Sequence, residues 1–133
     1  VKDHIHDFMG KVFEKMAKEY LMLHAGKDGI PVLTDVDEYQ TSVLDEEKKP
    51  KQIEIVLLGR NDKNILLTGE CKFKNEKIDK EVYNTLLRRS KLLSGNYHVI
   101  RFLLFSLSGF TKWFEEEEAQ NIVKITVEDM YLP

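Results

Sequence analysis

Residues 65–75 read ILLTGECKFKN, an apolar run that closes on a glutamate, one neutral residue and a lysine. In an extended chain residues two apart share a face about 6.6 Å apart, so Glu70 and Lys72 point one way and Cys71 the other. A carboxylate beside an ammonium at the polar end of a strand suits phosphodiester chemistry. The acid binds a divalent cation, and the lysine orients water or stabilises charge developing on phosphorus. The preceding segment QIEIVLL carries a second acid, Glu54. With Leu58 paired to Leu66 across a hairpin, Glu54 falls directly opposite Glu70, their Cβ atoms about 5 Å apart. Two like charges at that spacing repel, and a magnesium or manganese ion held by Glu54, Glu70 and the Cys71 carbonyl relieves them. The same acid-x-lysine spacing at Glu46–Lys48 and Glu47–Lys49 sits in the turn-like DEEKKP and has no apolar strand behind it.

These residues need a framework that holds two strands side by side with a helix against them. Apolar residues at Ile5, Phe8, Met9, Val12, Phe13, Met16, Ala17, Tyr20 and Leu21 have helical spacing. Glu14 falls on the side of Gly10, Ala17 and Leu21. A mid-helix glycine costs about 1 kcal/mol relative to alanine, so Gly10 predicts a close backbone approach that brings Glu14 toward the sheet. The competing expectation is a surface pair between Glu14 and Lys18, four residues on. EYQTSVL, QIEIVLL and NILLTGECK read as a three-stranded meander, the last two joined through GRNDK. Ile78, Val82, Tyr83, Leu86, Leu87 and Leu93 mark a second helix, YHVIRFLLF a buried strand, SGF to about Gln120 a short helix, and IVKITV a final strand. The fold class expected is α/β: a mixed sheet in the order helix, strand, strand, strand, helix, strand, plus a further helix and strand. The last strand–helix–strand unit closes by a right-handed parallel crossover, with helices on both faces.

A chain of 133 residues suits one domain. The lone Cys71 excludes an internal disulfide and a multi-cysteine zinc site, and points to a reducing, cytoplasmic setting. No apolar run reaches the roughly 18 residues of a membrane span. A net charge of -3 argues against gripping nucleic acid by bulk charge. From Lys72 to Arg101, however, eight basic residues stand against three acids. Lys74, Arg88, Arg89 and Lys91 are the candidate nucleic-acid contacts within that stretch. His4 and His6, two apart at a helix start, do not share a face as zinc ligands four apart would. His98 reads as a sheet histidine, Ser106 and Ser108 as helix caps, and Glu115 to Glu118 as a solvated face. Trp113 and Phe114 are expected to pack under the last helix, with base stacking as the role of an exposed Trp113.

FMGKVFEKMAKEYL, QIEIV, GECKFKN, LLRRSKLL and LFSLSGFT together resemble the PD-(D/E)XK nuclease superfamily. Within it they are most similar to a small domain of uncharacterised function at the C-terminal end of archaeal and bacterial P-loop ATPases. The resemblance spans nearly the whole chain. It implies a restriction-endonuclease-like core over residues 1–133, cut from a larger ATPase. It implies that Glu14, Glu54, Glu70 and Lys72 are the helix acid, the two strand acids and the lysine of a magnesium-dependent nuclease acting on DNA. The phosphate loop G-x-x-x-x-G-K-[ST] does not occur in these residues, so the ATPase would belong to the parent chain. Glu54 stands where relatives usually carry aspartate, and Gln52 where another acid is common. Two functions follow: a metal-dependent nuclease, or a catalytically inactive nuclease-like module for DNA docking or self-association of its ATPase.

Overall fold

A computed structural model describes residues 2–93 and 97–131, with side chains throughout except at 2–4, 6, 97–100 and 131. The side chains of His4, His6 and His98 therefore lie outside the described residues. The order is α1 (Lys2–Leu23), β1 (Asp35–Leu44), β2 (Pro50–Asn61), β3 (Asn64–Lys72), α2 (Lys80–Lys91), β4 (Tyr97–Ser106), β5 (Ile122–Thr126) and α3 (Val127–Tyr131). The five strands form one sheet in the order β1-β2-β3-β4-β5, antiparallel through β3 and parallel from β3 to β5. The expected α/β architecture with a mixed sheet is observed.

Two layers cover the sheet. On one side Phe13, Ala17 and Leu21 of α1 pack on Val56, Leu57, Leu67, Leu103 and Phe105. On the other, Leu86 of α2 joins Ile78, Leu104, Phe114, Ala119 and Ile122. A third cluster of Ile53, Ile55, Leu58 and Ile65 lies under Leu93, just beyond the end of α2. The stripe of α1 thus follows its sequence spacing from Phe13 onward, although Ile5 and Phe8 near its start are exposed. Helix α2 begins where the Asp79 side chain accepts the Val82 amide. Among the described residues no helix is long and apolar enough to cross a membrane.

Four expectations are corrected. The hairpin turn is Asp62–Lys63, closed by the pair Asn61–Asn64, and Gly59 and Arg60 belong to the strand rather than the turn. Asp62 takes the left-handed φ of 57° that so tight a turn demands. The segment from SGF to Gln120 is not a continuous helix but two short 3-10 turns, Lys112–Glu115 and Glu117–Ala119, broken at an extended Glu116. A continuous helix would set Glu115 and Glu118 three apart on one face, where like charges repel. Trp113 packs instead against Tyr83 of α2 and Phe114, with the Lys80 ammonium 5.4 Å from its ring centre. Ser106 and Ser108 brace the loop after β4 rather than capping a helix. Ser106 accepts the Gly109 amide at 2.9 Å, and Ser108 donates to the Lys74 carbonyl at 2.6 Å. Helix α3, held by Asp129 accepting from the Thr126 amide at 2.8 Å, is an addition to the expected order.

Candidate functional site

The strand register decides what faces what. Leu58 pairs with Thr68, not Leu66, because the two-residue turn is followed by an extra residue on β3 between Arg60–Ile65 and Gly59–Leu67. A second irregularity lies on β2: Tyr39 pairs with Ile55 but Asp37 with Leu58, three steps on β2 against two on β1. The extra residue turns both Val56 and Leu57 to the α1 side, while Ile53, Ile55 and Leu58 stay on the other. Glu54 alternates with Ile53 and Ile55 and so projects on the α1 side, exposed. Glu70 shares the face of Thr68, whose hydroxyl lies 2.8 Å from that of Ser90 on α2. Glu54 and Glu70 therefore lie on opposite faces of the sheet. The expected side-by-side pair of strand acids is not formed.

What forms instead is an opening. The β2–β3 ladder ends at Leu57–Gly69, leaving Glu54 and Glu70 beyond the last pair. The Lys72 carbonyl accepts from Leu107 beyond β4 at 3.1 Å, so alternation turns the Cys71 amide toward β2. The Glu70 carboxylate answers it there, its Oε1 accepting the Cys71 N–H at 2.9 Å. Across the gap the Glu54 carbonyl accepts from Arg89 Nη1 of α2 at 3.3 Å. The same nitrogen lies 3.7 Å from Glu70 Oε2, whose side chain is 13% exposed. One guanidinium thus neutralises a largely buried carboxylate and covers a backbone group freed by the parting strands.

Burial raises the Glu70 pKa above the ordinary carboxylate value. Lys72, the Cys71 amide and Arg89 oppose that shift, and the Glu14 charge adds to it. Glu14 is raised too, first by burial and then by its neighbours Glu38 and Glu54, against Lys11 and Lys18. The Cys71 thiol, packed against the α1-side core, is pushed well up by burial and by the Glu70 and Glu14 charges. That shift favours the thiol over the thiolate.

Glu14, Cys71, Lys72 and Lys74 line one cleft of about 400 Å3 between α1 and the end of β3. Glu70, Lys72, Thr85 and Arg89 line a second, of about 180 Å3, under α2. Lys72, the last residue of β3, reaches both. Gly10 also lines the first cleft, with no atom within 4 Å of where a Cβ would stand. Its role is opposite to that expected: it leaves space open and brings no backbone close. Lys18 pairs with Glu38 of β1 at 3.0 Å, so the anticipated surface pair with Glu14 is replaced by one across to the sheet.

The donor set does not suit a divalent cation in this arrangement. Its two strand acids diverge, and a fixed cation already stands against Glu70. Among the described residues no three side chains of His, Cys, Asp or Glu are grouped to hold a metal ion. The candidate nucleic-acid contacts also divide. Lys74 is on the cleft with Glu14, whereas Arg88 lines a different one among Asp45, Glu46 and Glu47 of the β1–β2 turn. Lys91 is exposed at the end of α2.

Residues 1–86, which carry α1, the meander and the first half of α2, match the sequence profile of DUF234, archaeal and bacterial proteins of unknown function. The chain belongs to this family. No curated protein and no solved structure matches it. The DUF234 match contains Glu14, Glu54, Glu70 and Lys72, and it ends just before Arg89. Arg89 as the partner of Glu70 is what sequence reasoning missed. The signal was present: Arg89 stands seven residues after Val82 and three after Leu86, on the inward stripe of α2 rather than its solvent face.

Proposed function

We propose that this DUF234 chain is a nuclease-like module that docks DNA by its phosphate backbone and, with Arg89 engaged, does not cut it. The observation that carries this reading is the Arg89 guanidinium held between Glu70 and the Glu54 carbonyl, where a catalytic cation would otherwise be required. Arginine recognises phosphate oxygens through the same donors it offers a carboxylate. At 3.7 Å from Glu70, Arg89 is near enough to neutralise that group but too far for a good hydrogen bond, which leaves donors for an incoming phosphate. Lys72 and Lys74 on the adjoining cleft extend the cationic surface. The resemblance to domains following P-loop ATPases supports a role as the DNA-holding part of a larger machine.

A second reading, a magnesium-dependent nuclease, draws support from the electrostatic coupling of Glu14 to Glu54 and of Glu70 to Glu14 and Lys72. The two readings separate in one experiment. In buffer with chelator, fluorescence anisotropy of labelled duplex and single-stranded DNA is expected to show binding that weakens as salt rises from about 50 to 200 mM. Arg89→Glu is expected to weaken it by about tenfold. The same DNA, plain or branched, is expected to remain intact with magnesium or manganese present. Cleavage that disappears in Lys72→Ala would establish the nuclease reading, and absence of binding would remove the docking one.

A further inference from the structure

Strands β3, β4 and β5 run parallel, and their carboxyl ends fall in one row through the pairs Lys72–Ser106 and Ser106–Thr126. The loops that leave such ends carry exposed backbone and side-chain donors, and loops held by a rigid scaffold are where binding residues concentrate. Beyond the ends of β4 and β5 this protein has a cleft of about 510 Å3. Its charged lining is Lys77, Lys112 and Lys124 against the single acid Glu115. By contrast, the cleft at Arg88 sets Arg88 and Lys51 among three acids. Of the two, only the first has a cationic balance.

The lysines are set by the fold. Ile78 donates its amide to the Gly109 carbonyl at 2.9 Å, and Thr111 donates to the Ile78 carbonyl at 3.0 Å. This short parallel bridge ties the loop before α2 to the loop after β4. It fixes Lys77 and Lys112, each one residue beyond a bonded position, on either side of it. Gly109 has a φ of 94° and open space where a Cβ would stand, so the loop can turn without filling the cleft. Lys124 is anchored to the Phe114 carbonyl at 3.1 Å. The Lys77 and Lys112 side chains are exposed. The Thr126 hydroxyl is committed to Asp129.

We propose that this cleft is a phosphate-binding subsite for a single strand of nucleic acid, continuing the track that begins at Arg89 and Lys72. Two strand spacings, about 10 Å, separate Lys72 from Thr126 along the row, so a few nucleotides reach from one cleft to the other. The inference rests on the docking reading and adds the direction the strand takes: across the carboxyl ends of the parallel strands, not along the last turn of α2. Lys112 and Lys124 lie outside the segment that matches DUF234.

The test is anisotropy of a labelled oligothymidylate with the whole chain. It compares the wild type, the pair Lys77→Ala with Lys112→Ala, the corresponding pair to arginine, and Arg88→Ala with Lys91→Ala. The first pair is expected to lower affinity about tenfold and to flatten the salt dependence by about two phosphate contacts. The arginine pair retains both, and the α2 pair changes little. Thermal melting checks that the exposed substitutions leave the fold unchanged. Unaltered affinity and salt slope in the Lys77 and Lys112 pair, with Arg89→Glu still weakening binding, overturns the subsite and leaves the docking reading standing. No binding by the wild type overturns both.

Discussion

Gly69→Ala is expected to lower the unfolding free energy by about 2–3 kcal/mol, the cost of forcing atoms into a filled core. A Cβ at this position would lie 2.9 Å from the Leu103 carbonyl oxygen of β4 and 3.1 Å from Leu57 Cδ1 of β2. The first contact is with backbone, which cannot turn aside as a side chain does. Gly69 is the last β3 residue paired to β2, so the strain falls at the point where the ladder opens and Glu70 leaves it. Denaturant unfolding measures the effect, and a midpoint within error of the wild type would contradict the close three-strand approach. Gly10→Ala is the contrasting control. With open space at its Cβ, it is expected to stabilise α1 by up to about 1 kcal/mol.

Arg89→Glu is expected to destabilise the fold by about 2 kcal/mol at pH 8, less than for a fully buried pair because Arg89 is part exposed. It removes the cation at Glu70, strips the Glu54 carbonyl of its donor and adds a fourth acid near Glu14, Glu54 and Glu70. The pH dependence has a definite sign. Glu70 and Glu14 have folded pKa values raised above their unfolded ones, so the folded state holds more protons between the two values. The stability that this contributes is fully present below the ordinary carboxylate value and is lost as pH rises through the raised one. Melting temperature in Arg89→Glu is therefore expected to recover on acidification through that window. Glu70→Gln, which keeps an oxygen for the Cys71 amide and discards the charge, is expected to rescue much of the loss at pH 8. A melting curve for Arg89→Glu that is flat across the window would show that Glu70 does not feel this cation.

How far the sequence could be read depended on which interactions are local. Period-two and period-3.6 patterns report burial of one face, so α1, the meander, α2, β4 and β5 were legible from apolar spacing alone. The opposition of Glu70 and Cys71 across β3 followed from the same rule. The register did not, because it depends on two bulges, at Val56–Leu57 and at Leu66, that no composition cue marks. A single extra residue reverses every later side chain, which is how Glu54 came to the face opposite Glu70. Gly10 and Gly69 make the same point. The sequence predicted a close approach at Gly10 and marked nothing at Gly69, yet the first borders empty space and the second is packed against a carbonyl. Arg89 was recognised as basic but not as inward-facing, although its spacing from Val82 and Leu86 sets it on the inward stripe of α2.

The proposed docking role requires that the Arg89 guanidinium, and no metal ion, balance the charge of Glu70. Calorimetric titration of manganese into the wild-type chain, beside Glu70→Gln, measures this directly. No saturable heat is expected from either protein at millimolar metal. Stoichiometric binding by the wild type that vanishes in Glu70→Gln would contradict it and return the site to metal-dependent chemistry.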